Sequence, residues 1–183
     1  MEADESLAQQ VQRGAPPTVR VYGWKYPAIT IGRRQRPEDL PKDLLRQGLP
    51  IVRRPTGGGA VVHCLDELTY SLAASRSSFP KTIRLHQMTQ FLHERLRDTL
   101  LHEDGISREE LSLAPAVFSV PPTLCFLTPV CGDLLYRGEK VAGAALRAGG
   151  GVLLVQGSIQ GLPVPHPVLT HLLVRAINEC ACN

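Results

Sequence analysis

Apolar residues recur along this chain with two periods, and the places where the period changes divide it into elements. Residues 1–13 read as a helix stopped by Gly14, and Pro16-Pro17 breaks the chain just after it. Val19-Arg20-Val21-Tyr22 alternates with period two, as a half-buried strand does. The β-branched run Ala28-Ile29-Thr30-Ile31, stopped by Gly32, predicts a second strand. Residues 43–47 read as a short helix closed by Gly48, and residues 51–54 as a third strand. That strand runs into Pro55-Thr56-Gly57-Gly58-Gly59, which cannot be regular structure. Residues 60–63 and 68–72 predict a fourth and a fifth strand. Leu85, Met88, Leu92 and Leu96 fall at three- and four-residue steps, an apolar stripe on a long helix over 82–100, and Asp104-Gly105 ends that region. The proline-rich stretch 114–124 reads as a loop. Residues 134–136 and 141–144 predict strands joined by Arg137-Gly138-Glu139. Gly149-Gly150-Gly151 turns the chain into a strand over 152–156, and a last helix covers 168–181. Short turns between strands imply a mixed, largely antiparallel sheet flanked by helices, an α/β chain of the α+β type.

The 183 residues suit one domain with a real core. Hydrophobic residues at 43% and charged residues at 20% are ordinary for a globular protein. No apolar run approaches the roughly 18 residues of a membrane span. The opening Met1-Glu2-Ala3-Asp4-Glu5 has neither the basic nor the apolar region of a secretory signal, so a cytoplasmic location is expected. A net charge of +3, scattered Lys and Arg, and 5% aromatics argue against nucleic acid as a partner. A mildly positive surface still favours an acidic protein partner. Cys64, Cys125, Cys131, Cys180 and Cys182 are odd in number and form no Cys-x-x-Cys pair, which argues against a disulfide framework and structural zinc.

Three segments carry candidate chemistry. In Arg53-Arg54-Pro55-Thr56-Gly57-Gly58-Gly59-Ala60-Val61-Val62-His63, consecutive glycines let backbone approach a ligand and point N–H groups at an oxygen. A glycine triplet alone is as well explained by an empty hairpin; the flanking Arg-Arg and Ala-Val-x-His shift the balance. Cys125-Phe126 and Lys140 are fifteen residues apart across a predicted hairpin. A nearby ammonium favours the nucleophilic thiolate, although spacing alone fits a buried structural cysteine and a solvated turn lysine better. Gln156-Gly157-Ser158-Ile159 ends a strand and can wall a pocket. Adjacent His63 and Cys64 face opposite sides of a strand, so they are a poor base–nucleophile pair. The remaining histidines show no metal spacing, and His166-Pro167 reads as a turn.

Together these segments resemble the biotin/lipoate A/B protein ligase superfamily, in its lipoate-protein ligase and cysteine-dependent octanoyltransferase branch. The opening helix, Gly32-Arg33-Arg34-Gln35, the Arg53–His63 loop, Leu68-Thr69-Tyr70-Ser71, Gly138-Glu139-Lys140-Val141-Ala142-Gly143 and Gly157-Ser158-Ile159 carry the likeness along most of the chain. It implies a class II biotin/lipoyl synthetase-like fold over a single catalytic domain, residues 1–183, without the usual first strand or a C-terminal accessory domain. It implies an acyl-binding site at Arg54, Thr56, Gly57, Gly58, Gly59, Ala60, His63, Gly143, Ala144 and Gly157. Thr56 and His63 support the loop, and Gly143 and Ala144 leave room for an acyl chain. It also implies that Cys125 holds an octanoyl or lipoyl group as a thioester, that Lys140 lowers its pKa and contacts the acyl carbonyl, and that Cys131 is a lesser candidate. The donor is then acyl carrier protein, and the acceptor is a lysine of a lipoyl domain or of the glycine-cleavage H protein. No cofactor is needed for transfer. An ATP-dependent ligase would need ATP and Mg but not Cys125, and a degenerate paralogue would only bind acyl groups or lipoyl domains. Cys64, Ala144-Ala145-Leu146 and Gln156 stand where the family commonly has Asp, Ser-Ala-Gln and His.

Overall fold

The computed structural model describes residues 1–103, 106–115 and 123–181. Asp104-Gly105, most of the predicted proline-rich loop, Cys182 and Asn183 lie outside the described residues. The elements, in chain order, are α1 (Glu2–Gln12), β1 (Thr18–Tyr22), β2 (Ala28–Ile31), α2 (Lys42–Leu45), β3 (Ile51–Arg53), β4 (Val61–His63), β5 (Glu67–Ser75), α3 (Met88–Leu100), β6 (Leu111–Leu113), β7 (Leu134–Tyr136), β8 (Glu139–Gly149), β9 (Val152–Gln160) and α4 (His166–Ala181). Six strands form an antiparallel sheet in the order β1-β5-β9-β8-β7-β6. Three more form a second sheet, β3-β2-β4, in which β2 runs parallel to β3 and antiparallel to β4.

Alternation along β5 and β9 gives the large sheet two unlike faces. Leu68, Tyr70, Leu72 and Ala74 of β5 join Leu153, Val155 and Ile159 of β9 in the main core with α3 and α4. The other face carries Ala73, Val152 and Leu154, which pack on Val11 of α1. It continues as a buried polar row of Glu67, Thr69, Ser71, Gln156 and Ser158. Each fully buried leucine of the main core contributes about 1.5–3 kcal/mol. That apolar layer fixes the sheet against which the polar row can be held.

Several expectations need correction. One sheet was expected and two are present. β2 pairs in parallel with β3, which requires the crossover through α2, and Ile29 and Ile31 bury against Leu40 and Leu44 rather than in the main core. The long helix begins at Met88, not residue 82. Leu85–Gln87 is a 3-10 turn, and Gln87 Oε1 accepts the Arg84 N–H at 3.1 Å, so exposed Leu85 lies outside the stripe. Ala60 lies before β4 and bridges to Leu124 instead. His166-Pro167 opens α4, where a proline is tolerated because first-turn N–H groups lack helical partners. Pairing with β7 makes a strand of Leu111–Leu113, whose three-residue alternation is too short to predict one.

Candidate active site

Arg54 is the post around which the glycine loop is wound. Its buried guanidinium donates from Nη1 to Thr30 O (3.1 Å) and Thr30 Oγ1 (2.9 Å), and from Nη2 to the carbonyls of Gly57 (2.8 Å) and Gly59 (2.8 Å). Burial pushes its pKa down. The neighbouring Arg53 donates to the carbonyls of Gly32, Arg33 and Gln35. Both arginines therefore satisfy loop carbonyls. Within the triplet only Gly58 takes a positive φ, +83°. The tightest demand for a glycine lies elsewhere: a Cβ on Gly32 would stand 2.1 Å from Gly58 O. Gln35 Oε1 accepts the Gly32 N–H at 3.0 Å, which explains the Gly-x-x-Gln spacing.

Cys125 and Lys140 meet, but not across one hairpin. The Ala60 N–H donates to Thr123 O (2.8 Å), and the Cys125 N–H donates to Ala60 O (2.7 Å), so the end of the glycine loop carries the cysteine. Lys140 comes from β8, where the pairing with β7 shifts register between Leu134 and Leu135. Val141 and Ala142 consequently both face the main core, and the bulge turns Lys140 to the opposite face with Gly143. Lys140 Nζ donates to Asp133 Oδ2 at 2.6 Å, to Cys125 O at 2.7 Å and toward Cys125 Sγ at 3.5 Å. It also lies 5.1 Å from the centre of the Phe126 ring. Gly143 was expected to leave room for an acyl chain. Its missing Cβ also makes room for the lysine itself, since that atom would stand 2.9 Å from Lys140 Nζ and 3.2 Å from Asp133 Oδ1. Gly157 is similar: its Cβ would fall 2.3 Å from the Tyr70 ring.

Two buried polar chains brace the loop. Thr56 Oγ1 donates to Gln156 Oε1 (2.8 Å), and Gln156 Nε2 donates to Asp4 Oδ2 (2.7 Å). Asp4 also accepts from Arg20 and Ser71, at 2.9 and 2.8 Å. In the second chain, His63 donates from Nδ1 to Glu67 Oε1 (2.5 Å), and its Nε2 shares a hydrogen bond with the Thr30 hydroxyl (2.7 Å). Trp24 stacks on His63 at 4.0 Å. Burial alone pushes Glu67 up, but the hydrogen bonds and charge of His63, with bonds from Ser158 and Thr69, outweigh it and leave its pKa below the ordinary 4.5. Among the described residues no buried side-chain polar atom lacks a partner.

One cavity opens beside both chains. Arg54, His63, Cys125, Phe126, Gly143, Ala144 and Gly157 line it, with Thr30, Ala145, Gln156 and Ser158. Gly57 and Gly58 line neighbouring grooves, one of which shares Ala144 and Ala145 with this cavity. Fully buried Thr56 and Ala60 hold the loop from behind. Exposed Cys131 is outside the lining, with its thiol 3.8 Å from Gln90 Oε1. Asp133, Thr30 and Glu67 were not singled out from the sequence. Thr30 and Glu67 have neighbours that read as ordinary strand. Gly132-Asp133 before an apolar run reads as a turn. Among the described residues no cluster of His, Cys, Asp and Glu could hold a metal, and no helix is long and apolar enough to cross a membrane.

The family model for the lipoyl protein ligase A/B catalytic domain matches residues 1–160. The chain is 37% identical over 171 residues to octanoyltransferase LipM of Geobacillus kaustophilus, which covers 87% of this chain and 59% of that protein. It is 34% identical over 180 residues to octanoyltransferase LipM of Symbiobacterium thermophilum, covering 94% of this chain and 64% of that one. It thus spans about 60% of the length of these curated relatives. Among solved structures, lipoate-protein ligase A bound with ATP aligns at a TM-score of 0.74 and 21% identity, over 97% of this chain and 77% of the other, a likeness of fold.

Proposed function

The chain belongs to the lipoyl protein ligase A/B catalytic-domain family, and from that premise we propose that it is an acyltransferase that moves an octanoyl, or lipoyl, group onto a lysine of a lipoyl carrier domain. One observation carries this reading: Lys140 Nζ lies 3.5 Å from Cys125 Sγ, and Cys125 lines a cavity that has Gly143, Ala144, Ala145 and Gly157 in its wall. A ligase that activates its acid with ATP needs no thiol there.

In this scheme the Cys125 thiolate attacks the acyl thioester of an acyl carrier protein. A carbon–sulfur bond forms to Cys125, the bond to the carrier sulfur breaks, and the carrier thiolate leaves and takes a proton from water. The acyl chain lies along Ala144, Ala145 and Gly157. The neutral amine of the acceptor lysine then attacks the Cys125 thioester: a carbon–nitrogen bond forms, the carbon–sulfur bond breaks, Cys125 leaves as thiolate, and the extra proton on the new amide nitrogen passes to water. The Lys140 N–H facing sulfur turns to the carbonyl oxygen as negative charge develops on it. Acceptors are a lipoyl domain or the glycine-cleavage H protein.

Intact-mass spectrometry after incubation with octanoyl-acyl carrier protein tests the scheme. Wild type should carry a hydroxylamine-sensitive octanoyl adduct, Cys125→Ala none, and Lys140→Ala should lose acyl transfer. If wild type carries no adduct but consumes ATP in a lipoate-dependent reaction with Mg, the chain is a ligase. Binding of a lipoyl domain without turnover of any donor would make it a non-catalytic paralogue.

A further inference from the structure

Lys140 has three N–H groups and all three are directed. One goes to the Asp133 carboxylate at 2.6 Å, one to the Cys125 carbonyl at 2.7 Å, and one faces the Cys125 sulfur at 3.5 Å. The Lys140 and Asp133 side chains are only 1% and 4% exposed. An ammonium so far from water stays charged only beside a counter-charge. Among the described residues Asp133 is the one carboxylate paired with it; Cys125 and the Phe126 ring face it from the loop.

Asp133 is itself held on several sides. Its Oδ2 accepts the Val130 N–H at 2.7 Å, and its backbone carbonyl accepts the Ala114 N–H at 2.8 Å. The preceding Gly132 carbonyl accepts His93 Nδ1–H of α3 at 2.7 Å, and Gly132 packs so closely that a Cβ would lie 2.6 Å from Gln90 Cβ. Two independent features, the β8 bulge and the missing Gly143 Cβ, bring the ammonium to this carboxylate. A carboxylate needed only as a loose counter-ion would require neither.

We propose that Asp133 is a positioning residue for the Cys125–Lys140 pair, holding the Lys140 ammonium charged and aimed so that one N–H is presented to the Cys125 sulfur. Asp133 touches neither donor nor acceptor in this role and acts through Lys140. The proposal rests on Cys125 being the acyl carrier of the reaction, and its test is chosen to be readable without any acyl donor.

The experiment tracks iodoacetamide alkylation of the Cys125 peptide by mass spectrometry across pH, in wild type, Asp133→Asn, Lys140→Gln and the double variant. The Asp133→Asn profile should move to higher pH, toward that of Lys140→Gln. The double variant should match Lys140→Gln alone, since Asp133 acts only through Lys140. In acyl transfer, kcat of Asp133→Asn should fall by roughly a hundredfold, the cost of a misplaced catalytic group, while KM for the octanoyl carrier holds. Asp133→Glu keeps the charge but displaces it, and should alkylate with an intermediate profile; it carries the test if Asp133→Asn does not fold. A profile in Asp133→Asn (or, in its place, Asp133→Glu) that is unchanged, or moves to lower pH, overturns the proposal. Coupled profiles in a wild type that accepts no octanoyl would remove the acyltransferase reading and leave the role of Asp133 standing.

Discussion

Glycines in one short region do different jobs, and alanine scanning should separate them. A Cβ on Gly57 meets nothing within 4 Å, so Gly57→Ala should leave the melting temperature nearly unchanged. Gly58 has room for a Cβ but sits at φ +83°, so Gly58→Ala should cost about 1–2 kcal/mol through the left-handed backbone alone. Gly32→Ala should be the worst, because backbone oxygen of the loop blocks the Cβ and the loop must move. We expect it to lower stability by about 1–3 kcal/mol and to depress acyl transfer more than Gly58→Ala does. Thermal melts with transfer assays rank the three; a benign Gly32→Ala would mean that the loop does not depend on this close approach. The triplet itself is visible as a motif, but Gly32, its strictest partner, looks like an ordinary strand terminator.

At the scale of elements, the β8 bulge decides which face Lys140 occupies. Regular alternation would put Lys140 and Ala142 together. Instead Val141 and Ala142 share the main core and Lys140 joins Gly143. Val141→Ala keeps the register, so it should cost roughly 2 kcal/mol and retain acyl transfer. Val141 is the extra residue between the pairs Leu135–Lys140 and Leu134–Ala142, so deleting it should leave Lys140 next to Ala142 in a regular ladder, still facing the site, and transfer should survive at a cost in stability. Lost transfer in a deletion variant that folds would show that the face Lys140 occupies is not enough to aim it. The strands of this hairpin were legible from their apolar runs. The bulge was not, because a one-residue register shift leaves composition and turn residues unchanged.

For the whole molecule, two buried groups set the response to acid. Burial holds neutral His93 below its ordinary 6.5, despite the Gly132 carbonyl. The unfolded chain therefore binds a proton that the folded one refuses, so this contribution is full above 6.5 and is lost as pH falls below it. Glu67 lies below its ordinary 4.5, so its contribution is full above 4.5 and is lost as pH falls through its lowered value. Urea unfolding across pH should thus show stability declining in two stages, the first beginning near 6.5. His93→Gln, which can still donate to the Gly132 carbonyl, should remove the first stage. A single decline that starts only below 4.5 would show that His93 takes its proton without cost.

Local pattern determined much of this protein. The period-two run Val19–Tyr22 marked β1, the stripe at Met88, Leu92 and Leu96 marked α3, and the spacing Arg-Arg-x-x-Gly-Gly-Gly-Ala-Val-x-His marked the loop, because propensity, alternation and turn chemistry act over a few residues and are written along the chain. What only the tertiary structure decided depends on residues far apart in sequence. Cys125 reaches Lys140 because Ala60 pairs with Leu124, and Lys140 faces the site because of a register shift. The buried polar row of Glu67, Ser71, Gln156 and Ser158 is stable only because α1 and the second sheet supply its partners. A buried polar group is costly until its partner is placed, and that partner is chosen by packing, not by its neighbours along the chain.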